Sequence, residues 1–400
     1  MPATSPRTAR RALLGVDLTA AGARPGAHGA LGAVAARAFD GERLARLVHR
    51  ADRGLLDLVV LGDGLLLHPG RRQVAGRLDA AVAAARVAPL VRTAALVAGV
   101  PHRGVDPAHL AGAIRGVQGA AGGPVGWQLS GPATAEDPLD EHAWATRAAE
   151  AVEQVRAAWA AGEPGAVRRD DDGRFRVDHD GIRFAVRGRT AGGRGAGRTR
   201  PDADAGKRPD DAGLPLVVVP VAGPAAEDLA GRYADLARLT APDLESAAAA
   251  RARIRAAAVA AGRSPDAVRV LLDVDVALAD DRASATARLD LVRAVEQPDL
   301  GVTGAVLAGT GADLATVLAD AVRDGAVDGF VARPTSAETD LAVLVERTVP
   351  ALQQSGAFRL RPGAEDVPAR TRTRTAAPTP APTSTPTEAG AWSAAPFALT

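Results

Sequence analysis

Short apolar runs recur along this chain, and each is followed by a stretch with helical periodicity. The runs are "ALLGVDL" (12–18), "DLVVLG" (57–62), "TAALVAGV" (93–100), "VGWQLS" (125–130), "LPLVVVPVAG" (214–223), "ADLARLT" (234–240), "VRVLLDVDVAL" (268–278) and "VDGFVARP" (327–334). A helix is predicted over 40–54, opened by an Asp40 cap and closed by Gly54. An Ala-rich helix follows around 76–88, one over 107–121 with Pro107 in its first turn, and a long one over 139–161. Further helices are predicted up to Tyr233, over 243–262, near 281–296 and 311–324 on either side of a weak apolar stretch at 302–308, and over 337–355. Roughly eight strand-then-helix units predict an α/β fold, a (β/α)8 barrel. The rival is a doubly wound open sheet, which would advertise a Gly-rich first turn, and "GVDLTAAG" does not.

The rhythm breaks between 162 and 213, before the fifth strand. "GEPGAVRRDDDGRFRVDHDGIRFAVRG" alternates like a hairpin, with Asp-Gly turn signals at 172–173 and 180–181. The Gly- and charge-rich stretch over 189–213 is expected to be mobile. The expected organisation is a disordered N-terminus (1–11), one barrel over 12–360 carrying the 162–213 insert, and a disordered Pro/Thr/Ala-rich tail (361–400).

Composition removes several functions. Net charge is +1, so no global field draws nucleic acid or an anionic membrane. The chain has no cysteine, which removes disulfides, thiolate metal sites and cysteine nucleophiles and suits a reducing cytoplasm. The start lacks the long apolar stretch of a signal peptide, and no run is long enough to span a bilayer. The seven histidines never fall at metal-ligand spacing, so no metal site is expected. "GTGADL" (309–314) lacks the third glycine of a dinucleotide loop and reads better as a helix N-terminal turn.

In such a barrel the chemistry lies at the C-terminal ends of the strands. The polar residues there are Asp17, Asp63, His102, Gln128, Ser130, Asp275 and Arg333, with Gly223 after strand five. Asp63, between two glycines after an apolar strand, reads equally as an acid delivered to a pocket or as a helix N-cap.

Four segments carry a resemblance. "GERLARLVHRADRGLLDLVVLGDGLLL" (41–67), "DPAHLAGAIRGVQGAAGGPVGWQLS" (106–130), "VRRDDDGRFRVDHDGIRFAVRG" (167–188) and "DGFVARPTSAETDLAVLVERTVPALQQSGAFR" (328–359) resemble, in this order, parts of the luciferase-like flavin monooxygenases. The similar branch is that of the nitrilotriacetate and dibenzothiophene-sulfone monooxygenases. The resemblance implies a barrel that binds reduced flavin mononucleotide from a separate flavin reductase and uses it to activate oxygen on a small organic substrate. A cytoplasmic homodimer is the expected assembly. A related branch uses a deazaflavin coenzyme with a larger anionic tail, and the sequence leaves that alternative open.

Asp63 matches the family's flavin-contacting acid. His102 and Gln128 are the candidates beside the flavin ring, and Arg103, Ala222 and Gly223 those for its phosphate; no catalytic residue is assigned. The chain also departs from the family. Pro101-His102-Arg103 stands where the family has Ser or Thr, and Gln128 where it has Asn. Glu141 and Ala145 stand where it has His and Tyr, and Val221-Ala222-Gly223 where its phosphate loop reads Gly-Ser-Ser. These losses predict weakened or lost phosphate binding; the backbone N–H groups at the helix start near Pro224–Ala226 remain an alternative phosphate holder, although Pro224 itself has no N–H to give. They also support a second hypothesis, a non-catalytic barrel that partners an active paralogue. A third is unrelated chemistry on a reused scaffold.

Overall fold

The computed structural model describes residues 11–19, 40–67, 74–131, 141–161, 168–169, 175–179, 182–186, 214–295 and 304–361. The N-terminal ten residues, the 189–213 stretch and the tail beyond 361 lie outside them.

The chain opens with β1 (Leu13–Asp17), α1 (Gly41–Arg53) and β2 (Leu58–Gly62). Asp40 caps α1 through the N–H groups of Glu42 and Arg43, and Gly54 closes it. Next come β3 (Gly64–Leu67), β4 (Val74–Leu78), α2 (Ala80–Val87), β5 (Ala95–Gly99), α3 (Pro107–Ala120), β6 (Val125–Gln128) and α4 (Glu141–Ala161). The predicted helix around 76–88 starts later than expected. Residues 74–78 pair back antiparallel on 64–67, and Asp79 caps the helix only after that.

The insert contributes β7 (Arg168–Arg169), β8 (Phe175–His179) and β9 (Ile182–Val186), an antiparallel set. His179 pairs with Ile182 across the predicted Asp-Gly turn. The chain resumes with β10 (Leu216–Val221), α5 (Pro224–Tyr233), β11 (Leu236–Leu239), α6 (Leu244–Ala260), β12 (Arg269–Leu278), α7 (Arg282–Val295), β13 (Ala305–Gly309) and α8 (Gly311–Arg323). It ends with β14 (Gly329–Pro334), α9 (Ala337–Val343), a π turn over Leu344–Thr348 and α10 (Val349–Gln354). At "GTGADL" Thr310 and Asp313 form a capping box at the start of α8, the helix turn the sequence predicts.

Eight parallel strands close into a barrel in the order β1-β2-β5-β6-β10-β11-β12-β14, with β14 returning to β1. Among the described residues β13 pairs with the C-terminal half of β12. Strand periodicity sorts the side chains into two sets. Leu13, Leu58, Val60, Ala95, Val97, Leu216, Val218, Leu236, Leu271 and Val331 form one cluster drawn from seven of the barrel strands, so it fills the barrel. The alternate residues, among them Leu14, Val16, Val59, Leu61, Leu96, Val217 and Phe330, pack outward under the helices. Gly329 faces β1 so closely that a Cβ there would lie 2.1 Å from the Leu13 carbonyl oxygen.

Acids pin the N-terminal end of the barrel. Asp57, Asp235 and Asp328 each precede a strand and accept an N–H from the neighbouring one: Leu14 (2.8 Å), Val217 (2.8 Å) and Val270 (2.9 Å). Arg359 pairs with Asp57 at 3.0 Å, and Arg251 with Asp328 at 2.7 Å. Buried carboxylates are tolerable only when paired and hydrogen-bonded in this way. The chain thus locks the N-terminal end of its barrel.

Candidate active site at the barrel mouth

Two residues beyond Leu236 on the interior face of β11 stands Arg238. Its guanidinium Nε and Nη2 each lie 2.9 Å from an oxygen of Asp273 on β12. Nη2 also meets Asp17 at 2.9 Å, and Nη1 donates to Gln128 Oε1 at 2.8 Å. Four strands therefore contribute to one buried polar layer, directly above the apolar filling. Burial opposes the charge on Arg238, but Asp273 and Asp17 outweigh it and raise its pKa. Burial likewise opposes the Asp17 carboxylate, yet Arg238, the Thr19 hydrogen bonds and Arg333 hold it below the usual carboxylate range. One layer higher, Arg333 on β14 reaches Asp275 on β12 at 3.3 Å.

The strand ends on the other side pack closely. The Gly62 N–H donates to Thr19 Oγ1 at 2.7 Å, and Gly62, Gly99 and Gln128 stand at one level across β2, β5 and β6. A Cβ on Gly99 would lie 3.6 Å from Gln128 Nε2. Trp127 Nε1 donates to the Val100 carbonyl at 2.9 Å, which fixes the chain just before His102.

His102 is buried, and neither of its ring nitrogens has a hydrogen-bond partner among the described residues. Burial first, and then the charge of Arg103, pushes its pKa down to about 4, so the imidazole is neutral at pH 7. Ser130 Oγ, beyond β6, is buried and equally without a partner, while its carbonyl accepts from Trp144 Nε1 at 3.0 Å. Buried polar groups are normally satisfied, so two orphans at neighbouring strand ends call for an explanation.

Asp63 accepts the Ala80 N–H at 2.8 Å, at the first turn of α2. The carboxylate thus holds the first turn of α2. Gly223 is the N-cap residue of α5 and has no side chain to cap with. The cap comes from elsewhere: Glu141 Oε1 accepts from Ala225 N at 3.0 Å and from Ala226 N at 3.2 Å. Ala222 and Gly223 thus flank a helix start that already holds a carboxylate.

Among the residues marked by the sequence, Gln128 and Asp17 meet in one network, and Asp275 meets Arg333. Asp63 and Gly223 belong to two separate helix starts. Arg238, Asp273 and the capping role of Glu141 escape a reading that looks only past the strand ends. For Arg238 and Asp273 the signal is a charge inside the apolar runs "LARL" and "VLLDVDVAL".

The luciferase-like monooxygenase family model matches residues 16–332. No curated protein sequence matches the chain. Among solved structures, the EDTA monooxygenase EmoA from Chelativorans sp. BNC1 is similar with a TM-score of 0.67 and 22% identity, covering 90% of this chain and 98% of that one. The riboflavin lyase RcaE, solved with modified FMN and its substrate riboflavin, is similar at 0.66 and 17%, covering 90% and 94%. DmoA from Hyphomicrobium sulfonivorans is similar at 0.66 and 17%, covering 90% and 92%. At these identities the structural likenesses establish the shared barrel, and the family model identifies the lineage: the chain belongs to the luciferase-like monooxygenase family.

Proposed function

We propose that the chain is a flavin-dependent oxidoreductase, a monooxygenase fed with reduced flavin by a separate reductase, and that the flavin ring seats at the C-terminal mouth. The observation that carries this is His102, a buried neutral imidazole with both nitrogens unpartnered among the described residues. Such a ring offers one N–H donor and one acceptor lone pair. The isoalloxazine edge, where carbonyl oxygens alternate with ring nitrogens, asks for that pair. The Ser130 hydroxyl is a second waiting partner, and Gln128, whose oxygen is held by Arg238, keeps its amide hydrogens to donate.

A reduced flavin, when bound, supplies the electron pair and the reactivity toward oxygen. The chain's own part is to orient the ring and keep water out. The Arg238–Asp17–Asp273 layer forms a rigid floor beneath the ring, and Asp63 positions the start of α2 at the rim. The fit stops at the tail of flavin mononucleotide. The α5 helix start offers no hydroxyl, and its first-turn N–H groups are spoken for by Glu141.

Quenching of flavin fluorescence tests the reading, with riboflavin as the titrant. Binding is expected, and His102→Ala should weaken it about tenfold, the worth of one or two hydrogen bonds. A wild-type protein that leaves the fluorescence of every flavin unchanged would replace this reading with the non-catalytic barrel.

A further inference from the structure

We infer that Glu141 is a built-in substitute for a cofactor phosphate, and that the mouth selects a flavin with a neutral polyol tail over flavin mononucleotide. The inference rests on the flavin reading above for the ring and on the α5 helix start for the tail. That helix start lies at the C-terminal end of β10, the position the family resemblance gives to its phosphate loop, and a helix N-terminus presents anion-binding N–H groups. Three residues supply its first turn. Pro224 has no N–H. Those of Ala225 and Ala226 both go to Glu141 Oε1, at 3.0 and 3.2 Å. Of the helix-start N–H groups, those of Ala225 and Ala226 are therefore taken by Glu141, and only that of Gly223 stands outside the pair.

Gly223 makes the arrangement possible. A Cβ there would lie 2.5 Å from Glu141 Oε1 and 2.7 Å from Oε2, so any other residue would displace the carboxylate. The glycine that would admit a phosphate admits the chain's own acid instead. A phosphate would have to displace that carboxylate or share the helix end with a like charge, which is unfavourable at such range. A polyol meets the opposite situation. Oε2 has no hydrogen-bond partner among the described residues, and a terminal hydroxyl can donate to it. The same reasoning disfavours any flavin or deazaflavin with a phosphate at that point of its tail.

Two measurements on wild type, Glu141→Ala and the isosteric Glu141→Gln test this. The first is thermal melting with inorganic phosphate against chloride at equal ionic strength. Wild type should not respond, whereas Glu141→Ala, with its helix end vacated, should gain about 3 °C or more. No gain in Glu141→Ala, or an equal gain in wild type, overturns the substitute role whatever the flavin result. The second is fluorescence titration with riboflavin and with flavin mononucleotide. Wild type should bind riboflavin about tenfold more tightly, and Glu141→Ala should reverse the order. Tighter binding of flavin mononucleotide by wild type overturns the selection while leaving the flavin reading intact. Phosphate-responsive Glu141→Ala protein that binds neither flavin overturns the flavin reading and leaves the occupied anion site standing. Should Glu141→Ala fail to fold, Glu141→Gln must raise affinity for flavin mononucleotide relative to riboflavin, and an unchanged ratio overturns the inference.

Discussion

Arg238 grips Asp273 through two parallel contacts of 2.9 Å, above a barrel filling of aliphatic side chains. A fork-to-carboxylate pair of this geometry fixes orientation as well as charge. Asp17 and Gln128 complete the guanidinium's shell, so strands β1, β6, β11 and β12 are tied together at the level where the mouth begins. Below this layer the barrel is aliphatic packing; above it lie His102 and Ser130, whose buried polar atoms have no partner among the described residues.

The network predicts a non-additive response to mutation. Arg238→Leu leaves Asp273 without its fork and Asp17 without its nearest counter-charge, and should cost about 3–5 kcal/mol in urea unfolding. Adding Asp273→Leu removes one of those charges and should recover at least about 1 kcal/mol of the loss. Simple additivity of the two single variants would show that the residues do not act as one unit.

The barrel was legible because its strands are written as separate apolar runs with helical stretches between them, as with "DLVVLG" and its successor "TAALVAGV". The mouth was legible only where a polar residue directly ends a strand, as Asp17 and Gln128 do. Arg238 and Asp273 sit inside their strands, and nothing local says that an arginine on β11 will meet an acid on β12. That contact depends on barrel closure, which brings Arg238 level with Leu271, two residues before Asp273. Glu141 was visible as a departure from the family's pattern, but its role needs the 84-residue separation to Ala225 to close. The helix pattern over 76–88 gives way at 76–78, where strand pairing with β3 wins over the helix.

Asp63 discriminates between pocket and cap. It holds the Ala80 N–H, so Asp63→Ala should lower stability by about 1 kcal/mol, the usual cost of a lost cap. Riboflavin affinity should change by less than about threefold, below the worth of one direct hydrogen bond. A stable variant that binds flavin ten or more times less tightly would place Asp63 in the flavin pocket.

At the base, Asp328 links stability to acid. Burial opposes its charge, but the Arg251 hydrogen bond, the Val270 N–H and the charges of Arg251 and Arg255 hold its pKa below the ordinary 3.8. Its contribution is therefore complete above pH 3.8 and is lost as pH falls toward the lower folded value. Asp328→Asn should cost about 3 kcal/mol at pH 7, because two arginines lose their counter-charge. The gap between variant and wild type should narrow only below about pH 3.8. A gap that closes already at pH 5 would contradict the depressed pKa.

His102 gives the complementary pH dependence, and in a different window. Burial, with Arg103 adding to it, lowers its pKa from 6.5 to about 4. The unfolded chain takes up a proton near 6.5 and the folded chain does not until about 4. Stability tied to the neutral ring is thus complete above 6.5 and declines as pH falls through the interval to 4. The decline should reach roughly 2–3 kcal/mol by pH 4.5 and should be absent in His102→Leu, as read by urea unfolding at each pH. The same neutrality bears on binding. If the imidazole offers a donor and a lone pair to the ring edge, riboflavin affinity should stay flat from pH 8 to 5, because no proton arrives to fill the lone pair. An imidazole with the ordinary value would instead show a break near pH 6.5. The position of that break, followed by fluorescence titration across the range, decides whether His102 meets the flavin as the buried neutral group described here.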